Sequence, residues 1–264
     1  MSVRGAALVT GASSGLGREF AVRLAARGHP LVLVARRQER LQELAASLPV
    51  EAGIVVADLA TDAGLAAVRD AVDALGAPPE VAVLNAGFGS RGRFWELDRE
   101  REARMVRLNA VAVVDTAAHV LPGMVGAGRG ALVVVSSAAA WQPVPYTATY
   151  AATKAFELSF TEAIAEELRG TGVRALAVCP GPTRTEFSFA AGEKKAKWFI
   201  PFDDPAIVVR AALQALADGR PRAATGPVAR GSMLAARVLP RRLVVRAAAI
   251  AHRDRPLKGF GRGT

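Results

Sequence analysis

Cysteine is almost absent from this 264-residue chain, which contains only Cys179. A single thiol cannot form an internal disulfide, and the scarcity of cysteine suits a reducing compartment. No uninterrupted apolar stretch reaches the roughly 18 residues that a membrane-spanning helix needs, and no signal-peptide pattern precedes the first glycine motif. With 51% hydrophobic residues, the chain is long and apolar enough to bury one sizeable core. These features predict a cytoplasmic location.

Acidic residues are nearly missing from one part of the chain. From Arg220 to the C-terminus, 11 Lys and Arg residues stand against one acid, Asp254. The 219 residues before this tail carry 23 basic and 23 acidic residues, so the formal charge of +10 lies in the tail. A neutral body does not have a uniformly cationic surface, and the tail lacks the interleaved aromatic residues that stack on bases. We therefore expect no nucleic-acid partner.

Short apolar runs alternate with longer helical patterns along the chain. The runs are nearly continuous in Val, Leu, Ile and Ala, which is typical of parallel strands covered on both faces. The alternation predicts an α/β fold, a Rossmann-like doubly wound parallel sheet of about seven strands. The predicted strands are 6–10, 31–35, 54–57, 81–84, 131–136, 173–178 and 223–226, and the predicted helices are 15–28, 37–47, 61–75, 105–124 and 150–169. We divide the chain into a main domain, residues 1–228, and a basic amphipathic extension, residues 229–264.

A glycine-rich turn from Thr10 to Gly17 joins the first predicted strand to the first helix. Glycine allows the backbone to turn tightly and to approach a pyrophosphate, and a helix N-terminus offers unpaired N–H groups. The spacing G-x-x-x-G-x-G differs from the G-x-G-x-x-G dinucleotide pattern, so the turn alone also fits an ordinary strand-to-helix connection. Its position favours cofactor binding. The residues expected to contact the cofactor are Gly11, Ser13, Ser14, Gly15, Leu16 and Gly17.

The second predicted strand ends in Ala35, Arg36 and Arg37. In dinucleotide-binding folds, an acid near this point binds the ribose 2′-hydroxyl of NAD, whereas an Arg accommodates the 2′-phosphate of NADP. No acid is present here, and guanidinium groups suit bidentate phosphate binding. We therefore expect NADP(H) in preference to NAD(H), the alternative being a solvated start to an Arg-rich helix. Asp58 is predicted either to accept a hydrogen bond from the adenine amino group or to cap a helix, with Leu59 as a further cofactor contact.

Tyr150 and Lys154 are four residues apart, on one face of a predicted helix. A free tyrosine has a pKa near ~10, and a nearby cation lowers it by roughly one to three units. Such a pair is a workable general acid and base, although the bare Y-x-x-x-K spacing also arises as an incidental pair. Ser137 lies 13 residues upstream of Tyr150, at the end of a buried strand, where open α/β sheets bind ligands.

Five motifs together resemble the short-chain dehydrogenase/reductase family, in its compact single-domain branch. The matching segments are Thr10–Gly17 for the TGxxxGxG cofactor motif, Asn85-Ala86-Gly87 for the NAG motif, Asn109 for the catalytic asparagine, Ser137, Tyr150 and Lys154 for the rest of the tetrad, and Pro180–Thr185 for the PG-x-x-x-T segment. They follow one another at the family's spacing, and the resemblance covers roughly residues 4–226. Leu84 departs from the family, which often has a second Asn there.

The resemblance implies a role for each catalytic residue. Tyr150 donates a proton to the carbonyl oxygen during reduction, and Ser137 hydrogen-bonds the same oxygen. Lys154 lowers the pKa of Tyr150 and holds the nicotinamide ribose, while Asn109 anchors a water molecule that links Lys154 to solvent. The further cofactor contacts that the resemblance implies are Asn85, Ala86, Gly87, Tyr150, Lys154, Pro180, Gly181, Thr183 and Thr185.

The stretch after Thr185 corresponds to the family's substrate lid. Its aromatic residues either form an apolar pocket with three upstream aromatics or belong to the core. The two sets are Phe187, Phe189, Trp198 and Phe199 in the lid and Phe88, Trp95 and Trp141 upstream. Three lysines, Lys194, Lys195 and Lys197, fit either a solvated lid surface or contacts with an anionic substrate.

The C-terminal tail predicts a basic amphipathic helix, because one helical face carries only apolar residues and arginines cluster beside it. The apolar face comprises Leu243, Val244, Ala247, Ile250 and Ala251, and the arginines are Arg242, Arg246 and Arg253. Such a helix either lies on an anionic membrane or covers the site of a lipid-like substrate. Alternatively, it docks on the body or on another subunit with its arginines in water.

The resemblance therefore implies an NADP(H)-dependent oxidoreductase that acts on a small-molecule carbonyl or alcohol substrate, with a hydrophobic or lipid-like ketone expected. No metal site is predicted. The alternative is a catalytically silent NADP-binding protein that acts through its basic tail at a membrane or partner. We expect a cytoplasmic homo-oligomer, with peripheral contact to the inner membrane surface through the C-terminal helix left open.

Overall fold

The computed structural model describes residues 5–186 and 202–253. Seven parallel strands form one sheet in the order β3-β2-β1-β4-β5-β6-β7. The strands are β1 (Ala7–Thr10), β2 (Leu31–Ala35), β3 (Ala52–Val56), β4 (Val81–Leu84), β5 (Gly130–Val135), β6 (Val173–Pro180) and β7 (Arg222–Thr225). The fold class expected from the sequence is confirmed, and each strand end lies within two residues of its predicted position.

Helices cover both faces of the sheet. They are α1 (Gly15–Ala25), α2 (Gln38–Ser47), α3 (Asp62–Asp73), α4 (Arg99–Val106), α5 (Ala112–Gly126), α6 (Ala148–Glu167), α7 (Pro205–Ala217), α8 (Gly226–Val238) and α9 (Arg241–Arg253). One core cluster joins α1, α2 and α7 to the sheet around Phe20 and Leu41. The other joins α3 and α5 to the opposite face around Val68 and Val120.

The chain order of the strands reverses between β1 and β4. Ala7 of β1 pairs with Leu31 of β2 on one side and with Val81 of β4 on the other. From β1 the chain proceeds outward to β2 and β3, and it then returns to β4 and continues to β7. The loops after β1 and β4 therefore diverge at the carboxyl edge and leave a crevice, which is where open α/β sheets bind ligands.

The helical stretch from Arg99 to Gly126 is longer than the sequence pattern predicts. Its first part, α4, has a polar sequence without hydrophobic periodicity, but Asp98 caps it by accepting a hydrogen bond from the Arg101 N–H at 2.6 Å. By length and composition alone the stretch is apolar enough to cross a membrane. However, Val113 and Val120 are buried against the sheet, so it serves here as a core helix.

A π-helical turn, Arg107–Val111, separates α4 from α5. Such a turn inserts one extra residue into the helical hydrogen-bond ladder and is frequent at functional sites. Its Leu108 lines the central cavity, and its Asn109 is fully buried.

The C-terminal extension consists of α8 and α9. The helical extension expected from the sequence is confirmed, although the division at residues 228 and 229 falls inside α8. The helix α8 packs against a short 3₁₀ turn, Ala138–Trp141, that follows β5. Both helices contribute side chains to the central cavity, so the extension covers the crevice.

Candidate active site

A cavity of about 1190 Å³ opens at the carboxyl edge of the sheet. All but two of the residues that the sequence singled out for catalysis or cofactor binding line it. The exceptions are Gly17 and Asn109, which lie behind its wall. The motifs scattered over 175 residues of sequence thus converge on one space.

The glycine turn and the NAG motif hold each other in place. The Asn85 side-chain amide donates hydrogen bonds to the backbone oxygens of Thr10 (3.1 Å) and Gly11 (3.3 Å), while the Thr10 hydroxyl accepts from the backbone N–H groups of Asn85 (2.9 Å) and Ala86 (3.1 Å). A Cβ on Gly17 would lie 2.3 Å from the Gly11 oxygen and 2.5 Å from the Asn85 amide nitrogen. Gly17 is therefore needed for this close approach.

The glycine turn also fits a dinucleotide. A Cβ on Gly15 would lie 3.0 Å from the side chain of Thr185, so the absence of a side chain keeps this part of the cavity open. Ser14 begins α1 without a side-chain cap in the part of the chain described. The N–H groups of the first turn of α1 face no capping oxygen and suit a pyrophosphate.

Arg36 and Arg37 both line the cavity, at the end of β2. Arg37 donates to the Ser13 hydroxyl from Nε (3.2 Å) and Nη2 (3.0 Å), and Nη1 pairs with Glu186 at 2.7 Å. Arg40 pairs with the same carboxylate. Hydrogen bonds from Arg40 and Arg37 lower the pKa of Glu186. Sequence reasoning missed Glu186 because it lies 149 positions from Arg37.

Asp58 does not cap α3. The cap is Thr61, whose side chain accepts from the Gly64 N–H at 3.1 Å. One oxygen of Asp58 instead accepts from the Ala60 N–H at 3.1 Å, and the other pairs with Arg104 of α4. Asp58 lines the cavity, so of the two alternatives the helix-cap interpretation is wrong.

Ser137 and Tyr150 meet at the cavity wall. Ser137 follows β5 in extended backbone, and its hydroxyl accepts from the Ala139 N–H at 3.1 Å, which caps the 3₁₀ turn and fixes the side chain. Tyr150 lies in the first turn of α6 and is hydrogen-bonded to Ser137. Burial raises the pKa of Tyr150, and this outweighs the lowering by Lys154 and by the hydrogen bond from Ser137. Lys154 therefore lowers the pKa of Tyr150, as the sequence predicts, but by less than burial raises it.

Asn109 is anchored by protein atoms on both ends of its amide. Its Nδ2 donates to the Phe88 oxygen and to the Thr153 hydroxyl, both at 3.0 Å, and its Oδ1 accepts from the Phe88 N–H at 3.2 Å. Thr153 precedes Lys154 in α6. Asn109 therefore connects the π-helical turn, the loop after the NAG motif and α6, which carries Tyr150 and Lys154. The water molecule expected between Asn109 and Lys154 remains a prediction.

Lys154 has a partner that sequence reasoning did not identify. Its Nζ donates to the backbone oxygen of Val135 at 2.8 Å and to both carboxylate oxygens of Glu157 at 2.9 Å. Lys154 and Glu157 are almost fully buried, with side chains 5% and 1% exposed. The sequence feature that could have revealed this partner is an acid three residues after Lys154, on the same helical face.

Burial has the largest single effect on the pKa values of Lys154, Glu157 and the neighbouring Cys179. It raises the pKa of Glu157 to about 7, because the attraction of Lys154 only partly offsets the loss of solvation. Burial lowers the pKa of Lys154, but the combined attraction of Glu157 and Tyr150 outweighs it, so the net shift is upward. Burial also raises the pKa of the nearby Cys179 thiol to about 12.

The other end of the cavity is mostly apolar. Phe88 and Val144 line it together with small side chains of the extension, which are Val228, Ser232 and Ala235 of α8 and Val244, Ala247, Ala248 and Ala251 of α9. Among the described residues, Ser90 Oγ and Gln142 Oε1 are buried without a hydrogen-bond partner, and both residues line the cavity. These two oxygens are buried in the wall of the cavity and lack a partner among the described residues.

Two sequence expectations about the substrate region need comment. Trp95 is 79% exposed and stacks with Arg93, so its assignment to the pocket is wrong. Trp141 packs on the core cluster around Leu158. The proposed lid residues Phe187, Phe189, Trp198 and Phe199 and the lysines Lys194, Lys195 and Lys197 lie outside the described residues.

A family model and several known proteins match this chain. The family model for short chain dehydrogenases matches residues 5–196. An uncharacterized oxidoreductase of Myxococcus xanthus is 40% identical over 190 residues, which cover 69% of this chain and 73% of that protein. A very-long-chain 3-oxoacyl-CoA reductase of Bos taurus is 30% identical over 217 residues, which cover 80% of this chain and 68% of that protein.

Solved structures resemble the whole fold. A short-chain dehydrogenase from Sphingobium yanoikuyae in complex with NADPH has a TM-score of 0.79 and 32% sequence identity, and the match covers 98% of this chain and 99% of that one. Other similar structures include complexes with NADPH and with NADH.

The packing of the glycine turn leads to a first prediction, for Gly17→Ala. The added methyl group would overlap the Gly11 oxygen, so we expect a loss of about 1–3 kcal/mol in unfolding free energy. We also expect at least tenfold weaker binding of nicotinamide dinucleotides, because the turn must move. Thermal unfolding and fluorescence titration measure the two effects.

Gly231→Ala in α8 is the matched control for this change. A Cβ at Gly231 meets nothing within 4 Å among the described residues, so this variant should gain about 0.5–1 kcal/mol of stability. Equal behaviour of the two variants would contradict the close-approach explanation.

Proposed function

Because this chain belongs to the short-chain dehydrogenase family, we propose that it is an NADP(H)-dependent oxidoreductase acting on a hydrophobic, lipid-like carbonyl compound or the corresponding secondary alcohol. The observation that carries the proposal is the convergence of Ser137, Tyr150 and Lys154 with the glycine turn in one cavity at the strand-order reversal. The cofactor supplies or accepts the hydride, and the protein supplies position and a proton.

Proton transfer is the task of Tyr150. In the reductive direction the Tyr150 hydroxyl donates its proton to the carbonyl oxygen of the substrate, and Ser137 donates a hydrogen bond to the same oxygen. The positive charge of Lys154 favours the tyrosinate that remains. In the oxidative direction Tyr150 accepts the alcohol proton. The apolar surroundings exclude water, which strengthens each of these electrostatic interactions.

The arginines after β2 support the preference for NADP(H). Arg36 lines the cavity with an exposed guanidinium group that suits a 2′-phosphate. Arg37 is already paired with Glu186, so a phosphate at this point competes with that carboxylate. Arg36 therefore carries most of the proposed preference, and Glu186 limits the contribution of Arg37.

The apolar end of the cavity supports a lipid-like substrate. The small side chains of α8 and α9 leave an extended space between the catalytic residues and the extension. Similarity to a very-long-chain 3-oxoacyl-CoA reductase agrees with a ketone on a long apolar chain. We propose that the side chains of Ser90 and Gln142, whose oxygens are buried beside the cavity without a partner among the described residues, turn to bind the polar atoms next to the reacting carbonyl.

A surface on the extension supports peripheral contact with an anionic membrane. Leu243 and Ile250 of α9 are 51% and 70% exposed, and Leu234 and Val238 of α8 are 62% and 70% exposed. At about 100° per residue, each pair lies between the cavity-facing side of its helix and an arginine side. We call these four residues the apolar stripe. Among the residues of the two helices whose exposure is described, the exposed arginines are Arg230, Arg237, Arg241, Arg242 and Arg246.

Charge complementarity supports an anionic membrane as the partner of the apolar stripe. The chain contains no acid between Asp218 and Asp254, so arginines alone provide the charge around the stripe. An interfacial helix with apolar side chains beside Lys or Arg residues is typical of binding to anionic lipids. The stripe borders the apolar end of the cavity, so a lipid-like substrate would enter from the bilayer. We propose a cytoplasmic protein that contacts the inner membrane surface.

A silent cofactor-binding protein is the alternative, and the intact set of catalytic groups argues against it. It would bind NADPH without turning over any ketone. The division into residues 1–228 and 229–264 is a further proposal, because the expected cofactor contacts lie before the extension. A homo-oligomeric state is another, because several apolar residues on α5 and α6 are exposed, including Val114 and Phe156.

The proposed acid leads to a prediction for Tyr150→Phe. Phenylalanine keeps the ring and removes the transferable proton, so kcat should fall by about 10²–10⁴-fold with NADPH affinity within about twofold. A panel of aliphatic ketones and 3-oxoacyl thioesters, followed by NADPH absorbance, measures turnover. Tyr146→Phe is the matched control, because Tyr146 is the other tyrosine of the chain. A fall of less than tenfold in Tyr150→Phe would remove Tyr150 from the central role.

The arginines after β2 lead to a prediction for cofactor choice. A charge-assisted hydrogen bond contributes about 1.5–3 kcal/mol, which corresponds to roughly a ten- to hundredfold preference for NADPH over NADH. Arg36→Ala should remove most of this preference by weakening NADPH alone. Glu186→Gln should increase it by releasing Arg37, and Ala35→Asp should reverse it. The ratio of kcat/KM for the two cofactors measures each effect. A wild-type enzyme that prefers NADH would contradict the proposed preference for NADP(H).

The apolar stripe leads to a prediction for membrane binding. The wild-type protein should sediment with phosphatidylglycerol vesicles and not with phosphatidylcholine vesicles. Combined Leu234→Ser, Leu243→Ser and Ile250→Ser should weaken binding by at least tenfold, because each exposed apolar side chain contributes about 1.5–3 kcal/mol when fully buried. Val111→Ser, at an exposed site on the body, is the control. No sedimentation of the wild type, together with dimers that the triple variant abolishes, would assign the stripe to a second copy of the chain.

A further inference from the structure

The ammonium group of Lys154 is fully committed to the protein. A lysine has three N–H donors, and among the described residues three acceptors lie within reach, the Val135 oxygen at 2.8 Å and the two oxygens of Glu157 at 2.9 Å. No donor is left for a ribose hydroxyl in this arrangement. The role that family resemblance implies for Lys154 therefore requires it to give up at least one of its contacts with Glu157.

Within residues 5–186 and 202–253, Glu157 has one counterion, Lys154. From its own helix, Lys154 and Tyr150 are the titratable groups nearby, and from β6 the Cys179 thiol faces the same space. Burial raises the pKa of both Tyr150 and Cys179, so these two groups are neutral near pH 7. Among the described residues, Lys154 is the cation that stabilises the Glu157 carboxylate.

We propose that Glu157 and the nicotinamide cofactor compete for Lys154, so that binding of the cofactor is coupled to uptake of one proton by Glu157. When Lys154 turns towards the ribose, Glu157 loses its counterion while its side chain stays buried. A buried carboxylate without a partner is costly, and it takes up a proton instead of remaining charged. The proton comes from solvent and ends on the Glu157 carboxyl group. Glu157 is thus a positioning residue, and this inference rests on the proposed cofactor.

The sign of the resulting pH dependence follows from linkage. In the free protein the pKa of Glu157 is about 7, so below pH 7 the carboxyl group is already protonated and cofactor binding takes up few protons. Above pH 7 the free protein holds an ionised Glu157, and binding must protonate it. Cofactor affinity should therefore be constant below pH 7 and should weaken as pH rises, by up to about tenfold per pH unit for one linked proton.

Calorimetric titration of the whole protein with NADPH tests this coupling. Titrations between pH 6 and 9, in buffers of different ionisation enthalpy, give the number of protons taken up. The wild type should take up close to none at pH 6 and most of one proton at pH 8. In Glu157→Gln the number of protons taken up should not rise with pH, since the glutamine amide does not titrate. At pH 8 this variant should bind NADPH about tenfold more tightly than the wild type. Protons released by the 2′-phosphate are common to both proteins and cancel in the difference.

Two further variants separate coupling from a structural effect. Glu166→Gln removes an exposed carboxylate from the same helix, where it pairs with Arg169, and should behave like the wild type. Glu157→Asp keeps a titrating group and should retain the rise in proton uptake with pH. Glu157→Gln could instead lose stability while its NADPH affinity changes with pH as in the wild type. That result would overturn the proposal and assign Glu157 a purely structural role.

The wild type alone also tests the proposal if Glu157→Gln does not fold. NADH has no 2′-phosphate, so proton uptake with NADH reports protein groups only. Absence of a rise in uptake above pH 7 would overturn the coupling while leaving the cofactor assignment intact. Failure of both NADPH and NADH to bind at pH 6, where the coupling has no effect, would instead contradict the proposed function.

Discussion

A buried ammonium group needs an acceptor for each of its protons, and the site is organised around this requirement at Lys154. β5 provides the Val135 oxygen, and α6 provides the two oxygens of Glu157 and the lysine itself, with the Tyr150 ring centroid 5.9 Å from the ammonium group. Asn109 reaches the same helix through Thr153. Moving any of these elements would leave a charge or a polar atom unpaired in an almost dry interior. The geometry of the catalytic helix is thereby tied to the sheet.

The order of the strands explains why these elements meet. Because the sheet reverses its chain order between β1 and β4, the loops after these strands separate and leave space above the sheet. Thr10 at the end of β1 and Asn85 after β4 then hold the edges of this space together through four hydrogen bonds. The extension closes the space from above, so one cavity holds the glycine turn at one end and apolar helix faces at the other.

Sequence patterns predicted the parts of this molecule that depend on local chemistry. Continuous apolar runs located the strands, and ordered motifs located Ser137, Tyr150 and Lys154. The first turn of α4 escaped prediction, because a capping residue, Asp98, stabilises it without hydrophobic periodicity. Glu186 depends on a contact between distant segments, which spacing does not reveal. Trp95 shows the converse, since an aromatic residue near the site in sequence points to solvent.

The cavity-facing side of α9 is built mainly from alanines, and none of the residues proposed for cofactor binding or catalysis lies on it. Exchanging these small side chains for larger ones would shorten the space available to a substrate while leaving the glycine turn and Tyr150 untouched. Selection for a different molecular size can therefore act on one terminal helix. In this architecture the evolution of substrate range is separable from the evolution of the hydride-transfer machinery.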